Sequence, residues 1–368
     1  MPEFIPGLKL SEIFYHDAVQ PLLASAFPQF SHSAAHIGWG SDVLGFDTPM
    51  SMDHGWGPKV TLFLTPQDHA EYHQNLHEFF ANNLPLEVQG FPTHFGEPYA
   101  DGGRMEPKTA HPIHHMVTIT TISAFFQDYL GLDTNAESTP RDWLSFPQQK
   151  LRTLRSGWVF HDGLGLVTPI RQTLHWYPHD LWLYLMACQW QRIDQDEPFI
   201  GRTGSVGDEL GSRLLGSRLI REIMQLAFLM AREYAPYTKW FGTAFQQLPI
   251  APKLTPLFTQ ILESREWKTR EEHLSEAYLV MSKAHNDLGV TPVIPPEISN
   301  FHGRPFHVPH SGRFVNALLD QIADPQVKNL APRVGSINQI SDSTDILENP
   351  KACRLIVEAI HQEDQSHP

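Results

Sequence analysis

The run KVTLFL, residues 59–64, is followed at once by TPQD, and this junction limits what the first third of the chain can fold into. A β-branched, aromatic and apolar run of six reads as a strand. Thr65 is a good helix N-cap, Pro66 suits the first helical position, and Asp68 completes an approximate capping box. The strand must therefore pass directly into a helix, predicted from Pro66 to about Asn82. Leu86 to Gln89 and MVTITT, residues 116–121, read as further strands, and Ala35 to Gly38 as a short one leading into Gly40-Ser41. Leu10 to Phe27 looks helical with an interruption at Pro21. A helix from Ser123 to Leu130 ends at Gly131, a normal C-cap residue. Strands and helices in alternation make residues 1–137 a mixed α and β region.

The polar, turn-rich LDTNAESTPRD, residues 132–142, is the best boundary in the chain. Beyond it helical patterns dominate. Pro178 to Arg192 is apolar over a wide face. Val206 to Tyr234 places Leu210, Leu214, Ile220, Ile223, Ala227 and Met230 at helical spacing, the mark of a core helix. Pro236 to Gln247, Leu254 to Glu263 and Arg270 to Leu288 continue the pattern. Residues 289–313, rich in Pro, Gly and His, read as a loop, 331–350 are polar, and the last few residues should fray. With 368 residues there is room for two cores. The expected fold is α+β: a mixed-sheet domain over 1–137, then an all-α domain over 138–368.

Composition narrows the functional classes. The net charge of −14, with no Lys/Arg-rich run, disfavours nucleic acid as a partner and suits a small cationic molecule. Two cysteines, Cys188 and Cys353, are too few for a disulfide framework or a cysteine zinc site and read as inert core residues in a reducing compartment. MPEFIPGLKLSEIF lacks the layout of a signal peptide. The most apolar run, LWLYLMAC, is far shorter than the roughly 20 residues that span a bilayer. A cytoplasmic location without a membrane is expected; the oligomeric state is not legible.

The chemistry concentrates in GWGSDVLGFDTPMSMDHGWGPKVTLFL, residues 38–64. A Gly-Ser turn lets backbone N–H groups approach phosphate oxygens. Eleven residues separate Ser41 from Asp53, after which come His54, Gly55 and Trp56. Magnesium takes hard oxygen ligands, usually one or two carboxylates plus phosphates. Two carboxylates at i and i+2 of a strand would share a face. Gly40, Ser41 and Asp53 match the nucleotidyltransferase superfamily pattern of Gly-Ser, a gap, then Asp-apolar-Asp/Glu-apolar; Gly55 stands where the second carboxylate belongs. The strand that would carry a third acid offers Thr118 and Thr120.

The phrases GSDVLGFD, DHGWGP, GFPTHFGEP, WYPHDLW, GRTGSVGDELGSR and YAPYTKWFG, spread over roughly residues 35–320, resemble a nucleotidyltransferase-like family, the domain of unknown function DUF4037. The resemblance implies a nucleotidyltransferase-type sheet domain followed by a helical domain. It does not by itself supply a reaction; in the enzyme reading, Mg²⁺ and an NTP, ATP foremost, are the cofactors, and a nucleotidyl group passes to a small hydroxyl- or amine-bearing acceptor. On that reading Gly40 and Ser41 hold phosphate and Asp53 binds the metal. Thr238 and Lys239, near a helix start, meet the triphosphate. Asp180 or Glu209 acts as general base.

Blander readings stand beside these. Asp180 suits a helix's first turn, and Glu209 is spaced to pair with Arg213. Lys239 fits an exposed surface. A missing second ligand is met either by a substitute, with Asp42, Asp47, Asp101 or a residue of the helical domain as candidates, or by a pseudoenzyme that keeps only nucleotide binding. A third reading is a metallohydrolase built on His69, His73 and His77, which repeat every four residues. His114-His115 and His302, His307 and His310 are weaker metal candidates.

Overall fold

The computed structural model describes residues 2–96, 103–331 and 333–361. The chain divides into two compact units, Met1–Ser138 with Lys150–His175, and Thr139–Gln149 with Trp176–Pro368. The fold is α+β, as expected.

The first unit is built on a four-stranded sheet in the order Met116–Thr121, Lys59–Leu64, Ser33–His36, Trp158–Asp162. The first two strands pair in parallel from Lys59 opposite Met116 to Leu64 opposite Thr121. The other two pairings are antiparallel, with Ser33 opposite both Phe63 and Asp162. Parallel neighbours need a crossover, which the helix Pro66–Asn83 supplies. Its start has the cap read from sequence: Thr65 Oγ1 accepts the Asp68 N–H at 3.1 Å and donates to Asp68 Oδ2 at 2.7 Å. Leu76 and Phe80 of that helix, Leu62 and Leu64 of the sheet, and Leu10, Phe14 and Val19 of the N-terminal helix bury one another in a single core.

Three local expectations change. The N-terminal helix is not broken at Pro21: Gly7–Phe14 runs through a π-helical turn, Tyr15–Val19, into Gln20–Ala26. The wide turn puts Pro21 at the start of a new helical segment, where its missing N–H costs nothing. The strand expected at 86–89 is only Glu87–Val88, paired with Phe91–Pro92 in a hairpin outside the main sheet. The edge strand Trp158–Asp162 lies in a stretch read as helical. It is anchored by Ser33 Oγ, which donates to Asp162 Oδ1 at 2.7 Å, while the same carboxylate accepts the Thr168 N–H at 2.8 Å.

The second unit is helical apart from a two-residue ribbon, Ser299–Asn300 with His307–Val308. Its central helix, His179–Asp196, is buried continuously from Leu181 to Gln191 and packs against Glu209–Met230 and Gly312–Leu319. Ile220, Ile223, Ala227 and Met230 are buried as expected, but Leu210 and Leu214 are 71% and 65% exposed. The inward face of those first turns is Ser212 and Gly216 instead. A larger side chain would collide there with Arg270: a Cβ on Gly216 would lie 3.0 Å from Arg270 Cδ. A helix not expected, Pro350–Ile360, closes the described chain; the residues read as frayed, 362–368, lie outside it. No helix among the described residues is long and apolar enough to cross a membrane.

Candidate functional site

The strand Ser33–His36 ends at Ile37-Gly38, and the chain then turns through Gly40-Ser41. Gly40 has φ +125°, and a Cβ on it would lie 1.9 Å from Asp42 Oδ1, so only glycine fits. The turn is closed by Gly45 N–H donating to Asp42 O and Phe46 N–H to Ser41 O, both at 3.0 Å. The backbone N–H groups of Gly40 and Ser41, and the Ser41 hydroxyl, have no partner among the described residues. Trp39, directly before the turn, is 62% exposed. Its ring meets that of Tyr129 edge-on at 6.0 Å, with the Lys150 ammonium 5.8 Å from its centre.

Beneath the turn lies a buried group of charges. Asp42, 2% exposed, faces Lys59 Nζ at 3.0 Å and His36 Nε2 at 3.3 Å through the same oxygen, Oδ2. Neither Oδ2 nor His36 Nε2 has an aligned hydrogen bond among the described residues, so the attraction there is chiefly that of the Lys59 cation for the carboxylate. Lys59 also donates to the Gly55 carbonyl at 2.7 Å. Burial pushes the Asp42 carboxyl up, but Lys59 and His36 together pull it below its ordinary value. Burial lowers His36 to about 4, despite the nearby carboxylate, so it is a neutral ring held also by Ser11 Oγ at 2.9 Å. Lys59 was not among the residues singled out from sequence. The only signal was a lone charge heading an otherwise apolar strand.

Asp53 and Gly55 are not on a strand. Strand geometry begins at Lys59, and residues 52–55 are turns and bends. The expected shared face of residues 53 and 55 therefore does not exist. Gly55 has φ +62°, receives no side-chain role, and is fixed by its backbone: its N–H donates to Gly103 O at 3.0 Å and its carbonyl meets Lys59. Asp53 is about half exposed; its carboxylate meets only its neighbour His54 among the described residues, at the backbone N–H (3.0 Å) and Nδ1 (3.2 Å). Arg104 Nε donates to the Asp53 carbonyl at 2.6 Å.

The substitute ligands fare differently. Asp42 is committed to Lys59. Asp47 Oδ2 accepts both the Gly7 N–H at 2.7 Å and the Trp56 indole at 2.8 Å. Asp101 lies outside the described residues. Of the described candidates Asp53 alone is left for a magnesium ion, which would then take its remaining ligands from a bound polyphosphate, a mode this ion commonly uses.

The other expected site residues lie in the second unit. Asp180 Oδ2 accepts the N–H groups of Ala323 and Asp324 at 2.7 and 2.6 Å. Glu209 does not pair with Arg213. It accepts the Trp267 N–H at 3.0 Å and faces the fully buried Arg270 at 3.2 Å, because Arg270 reaches across from the neighbouring helix while Arg213 turns to the Arg265 carbonyl. Thr238 opens the helix Thr238–Phe245, and Lys239 Nζ lies 5.1 Å from the Trp240 ring centre. Both are exposed.

The histidines do not converge. His69 and His73 stack at 4.9 Å, while His77 turns to His115, whose Nε2 meets the His77 carbonyl. Among the described residues no three His, Cys, Asp or Glu are grouped so as to hold a metal ion.

A two-unit α+β chain with an open Gly-Ser turn is thus the class that fold and site define. Residues 143–241 match the family described as Domain of unknown function (DUF4037), the one its phrases resemble. The matched region holds Asp180, Glu209, Thr238 and Lys239 but not Gly40, Ser41 or Asp53. A solved nucleotidyltransferase-like protein from Exiguobacterium sibiricum 255-15 aligns with 80% of this chain and 82% of its own, at 11% identity and a TM-score of 0.33, a score too low to argue from. No curated protein matches.

Proposed function

We propose that this protein is nucleotidyltransferase-like: it binds an NTP, ATP foremost, with Mg²⁺, and transfers a nucleotidyl group to a small hydroxyl- or amine-bearing acceptor. The observation that carries the reading is the open Gly40-Ser41 turn, with two backbone N–H groups and a hydroxyl free of partners among the described residues. Such exposed amides are what a phosphate group recruits. The exposed Trp39 ring offers a nucleobase a face beside them. Asp53 would hold the magnesium, which when bound neutralises phosphate charge. Thr238 and Lys239 are the proposed further contacts to the triphosphate. Of the two candidate bases, Asp180 is favoured, because Glu209 is tied to the Arg270 cation.

A second reading, nucleotide binding without transfer, is favoured by one observation: Asp42 and Asp47, two of the carboxylates that could substitute for the missing ligand, are already engaged. Thermal shift with four NTPs, with and without Mg²⁺, tests both. Binding to the folded state alone stabilises by about 2.7 kcal/mol at a hundredfold excess over Kd. An Mg²⁺-dependent rise that Asp53→Asn abolishes supports the site; a flat response at millimolar NTP refutes both readings. Turnover of labelled NTP with pooled small acceptors then separates transfer from binding alone.

A further inference from the structure

The lysine under the turn has the surroundings of a bound cation. Its Nζ takes one carboxylate oxygen, from Asp42 at 3.0 Å, and one carbonyl oxygen, from Gly55 at 2.7 Å. These are the donor types that hold a hard divalent ion. They come from two separate segments, the Gly40–Asp42 turn and the Asp53–Gly55 loop. Both glycines bend through positive φ around it, Gly40 at +125° and Gly55 at +62°. A Cβ on Gly40 would stand 3.2 Å from Nζ, and one on Gly7 would stand 2.9 Å from Asp42 Oδ2, so the backbone is wrapped closely about the pair. The Lys59 side chain is 13% exposed.

We propose that Lys59 is the site's resident cation: its ammonium takes the place a metal ion would hold between the Asp42 carboxylate and the Gly55 carbonyl, and so fixes the Gly-Ser turn against the Asp53 loop. Lys59 is a positioning residue. It explains why position 55 needs no carboxylate: the charge that a second acid would help to hold is already supplied, covalently, by the chain. The geometry stands without the nucleotide reading; only what the two loops then grip rests on that reading.

The corollary is that removing the ammonium uncovers a latent divalent-ion site. Lys59→Met keeps the apolar stem and deletes the charge, leaving the buried Asp42 carboxylate uncompensated beside an ammonium-sized gap. Melting temperature is measured for the full chain, Lys59→Met, and Asp42→Asn/Lys59→Met, with MgCl₂, MnCl₂ or CaCl₂ against KCl at equal ionic strength and without nucleotide. The expected result is a lowered Tm in Lys59→Met that divalent ions restore in part. The parent, whose cation is built in, should respond less. The double variant, with neither charge, should melt above Lys59→Met in KCl and show no such restoration.

Equal restoration of the double variant would place the ion elsewhere and overturn the proposal. So would a Lys59→Met protein as stable as the parent, or one that divalent ions leave unchanged or unfolded while the double variant folds. Because no NTP is present, failure here is distinct from failure of the nucleotide reading. That reading falls only if the parent binds no NTP.

Discussion

Two groups of buried ionisable side chains, one in each unit, meet burial in opposite ways, although the second unit also holds buried pairs such as Glu222 with Arg192. In the first, Asp42 is buried with Lys59 and stays charged below its ordinary range, although burial works against it. In the second, Glu197 and Glu271 are buried without a lysine or arginine across from them among the described residues. Glu197 accepts the Ser311 N–H at 3.1 Å, and Glu271 faces His307 Nδ1 at 3.6 Å. Burial pushes both carboxyls up to about 7. Tyr278, fully buried and electrostatically coupled to both, is raised well above its ordinary value, first by that burial. A compensated charge fixes geometry at any physiological pH. An uncompensated one is kept by taking up a proton, so its fold depends on pH. The contrast assigns the first group to holding a site and the second to setting where the helical unit is stable.

Removing one partner from each group should give opposite signs. Asp42→Asn leaves Lys59 buried without its counter-charge, and breaking a buried pair this way costs about 3–5 kcal/mol. Glu271→Gln at pH 8 removes a carboxylate that the interior disfavours and should stabilise, by at most about 3–4 kcal/mol, the equivalent of raising its pKa from 4.5 to about 7. Urea unfolding of the two variants at pH 8 measures both. A destabilised Glu271→Gln would break the comparison, by showing that this carboxylate is paired in a way its neighbours do not reveal.

The pH dependence sharpens the same point with a smaller effect. A carboxyl whose folded pKa is raised contributes stability fully present below its unfolded value. That stability is lost as pH climbs through the folded value, here between about 4.5 and 7. The histidines run the other way: His36, His115 and His285 are lowered to about 4 by burial, so their stability is present above 6.5 and lost as pH falls. The parent's curve is therefore a partial cancellation. The difference between parent and Glu197→Gln/Glu271→Gln isolates the carboxyls, and it should grow from pH 4.5 to 7 and level off above. A difference that stays flat across that window would mean the two glutamates ionise normally.

The contrast also explains which parts were legible in the sequence. The strand-to-helix junction at Thr65-Pro66 and the Gly131 cap were readable because each is set by neighbours in the chain, and the strand 116–121 because its own residues, MVTITT, are rich in β-branched side chains. The strand Trp158–Asp162 was not, because its pairing partner is Ser33–His36, more than a hundred residues away. Leu210 and Leu214 were misjudged because periodicity marks an apolar face, and here the inward face is the small one that admits Arg270. At the site, Gly40 and Ser41 were visible as a motif. Lys59 was not, since its importance comes from Asp42 and Gly55 folding back to meet it. Glu209 was given the wrong partner for the same reason: Arg213 is close in sequence, Arg270 in space.

The smallest effect tests the glycine itself. Were residues 53 and 55 neighbours on one face of a strand, Gly55→Asp would complete a paired-carboxylate site and strengthen Mg²⁺-dependent nucleotide affinity. They are not: Gly55 sits at φ +62° in a turn, and its contribution is a carbonyl for Lys59. Aspartate tolerates the left-handed region better than most residues, so the substitution should cost only about 1–2 kcal/mol and leave the fold intact. A new carboxylate near Lys59 would then compete with the Gly55 carbonyl for the same ammonium. The expected outcome is a slightly lower Tm, with Mg²⁺-dependent NTP affinity unchanged or weaker than the parent's, read by titration with and without the ion. A folded variant with clearly tighter Mg²⁺-dependent binding would show that position 55 can serve as a metal ligand after all. It would also remove the argument that Lys59 has made a second carboxylate unnecessary.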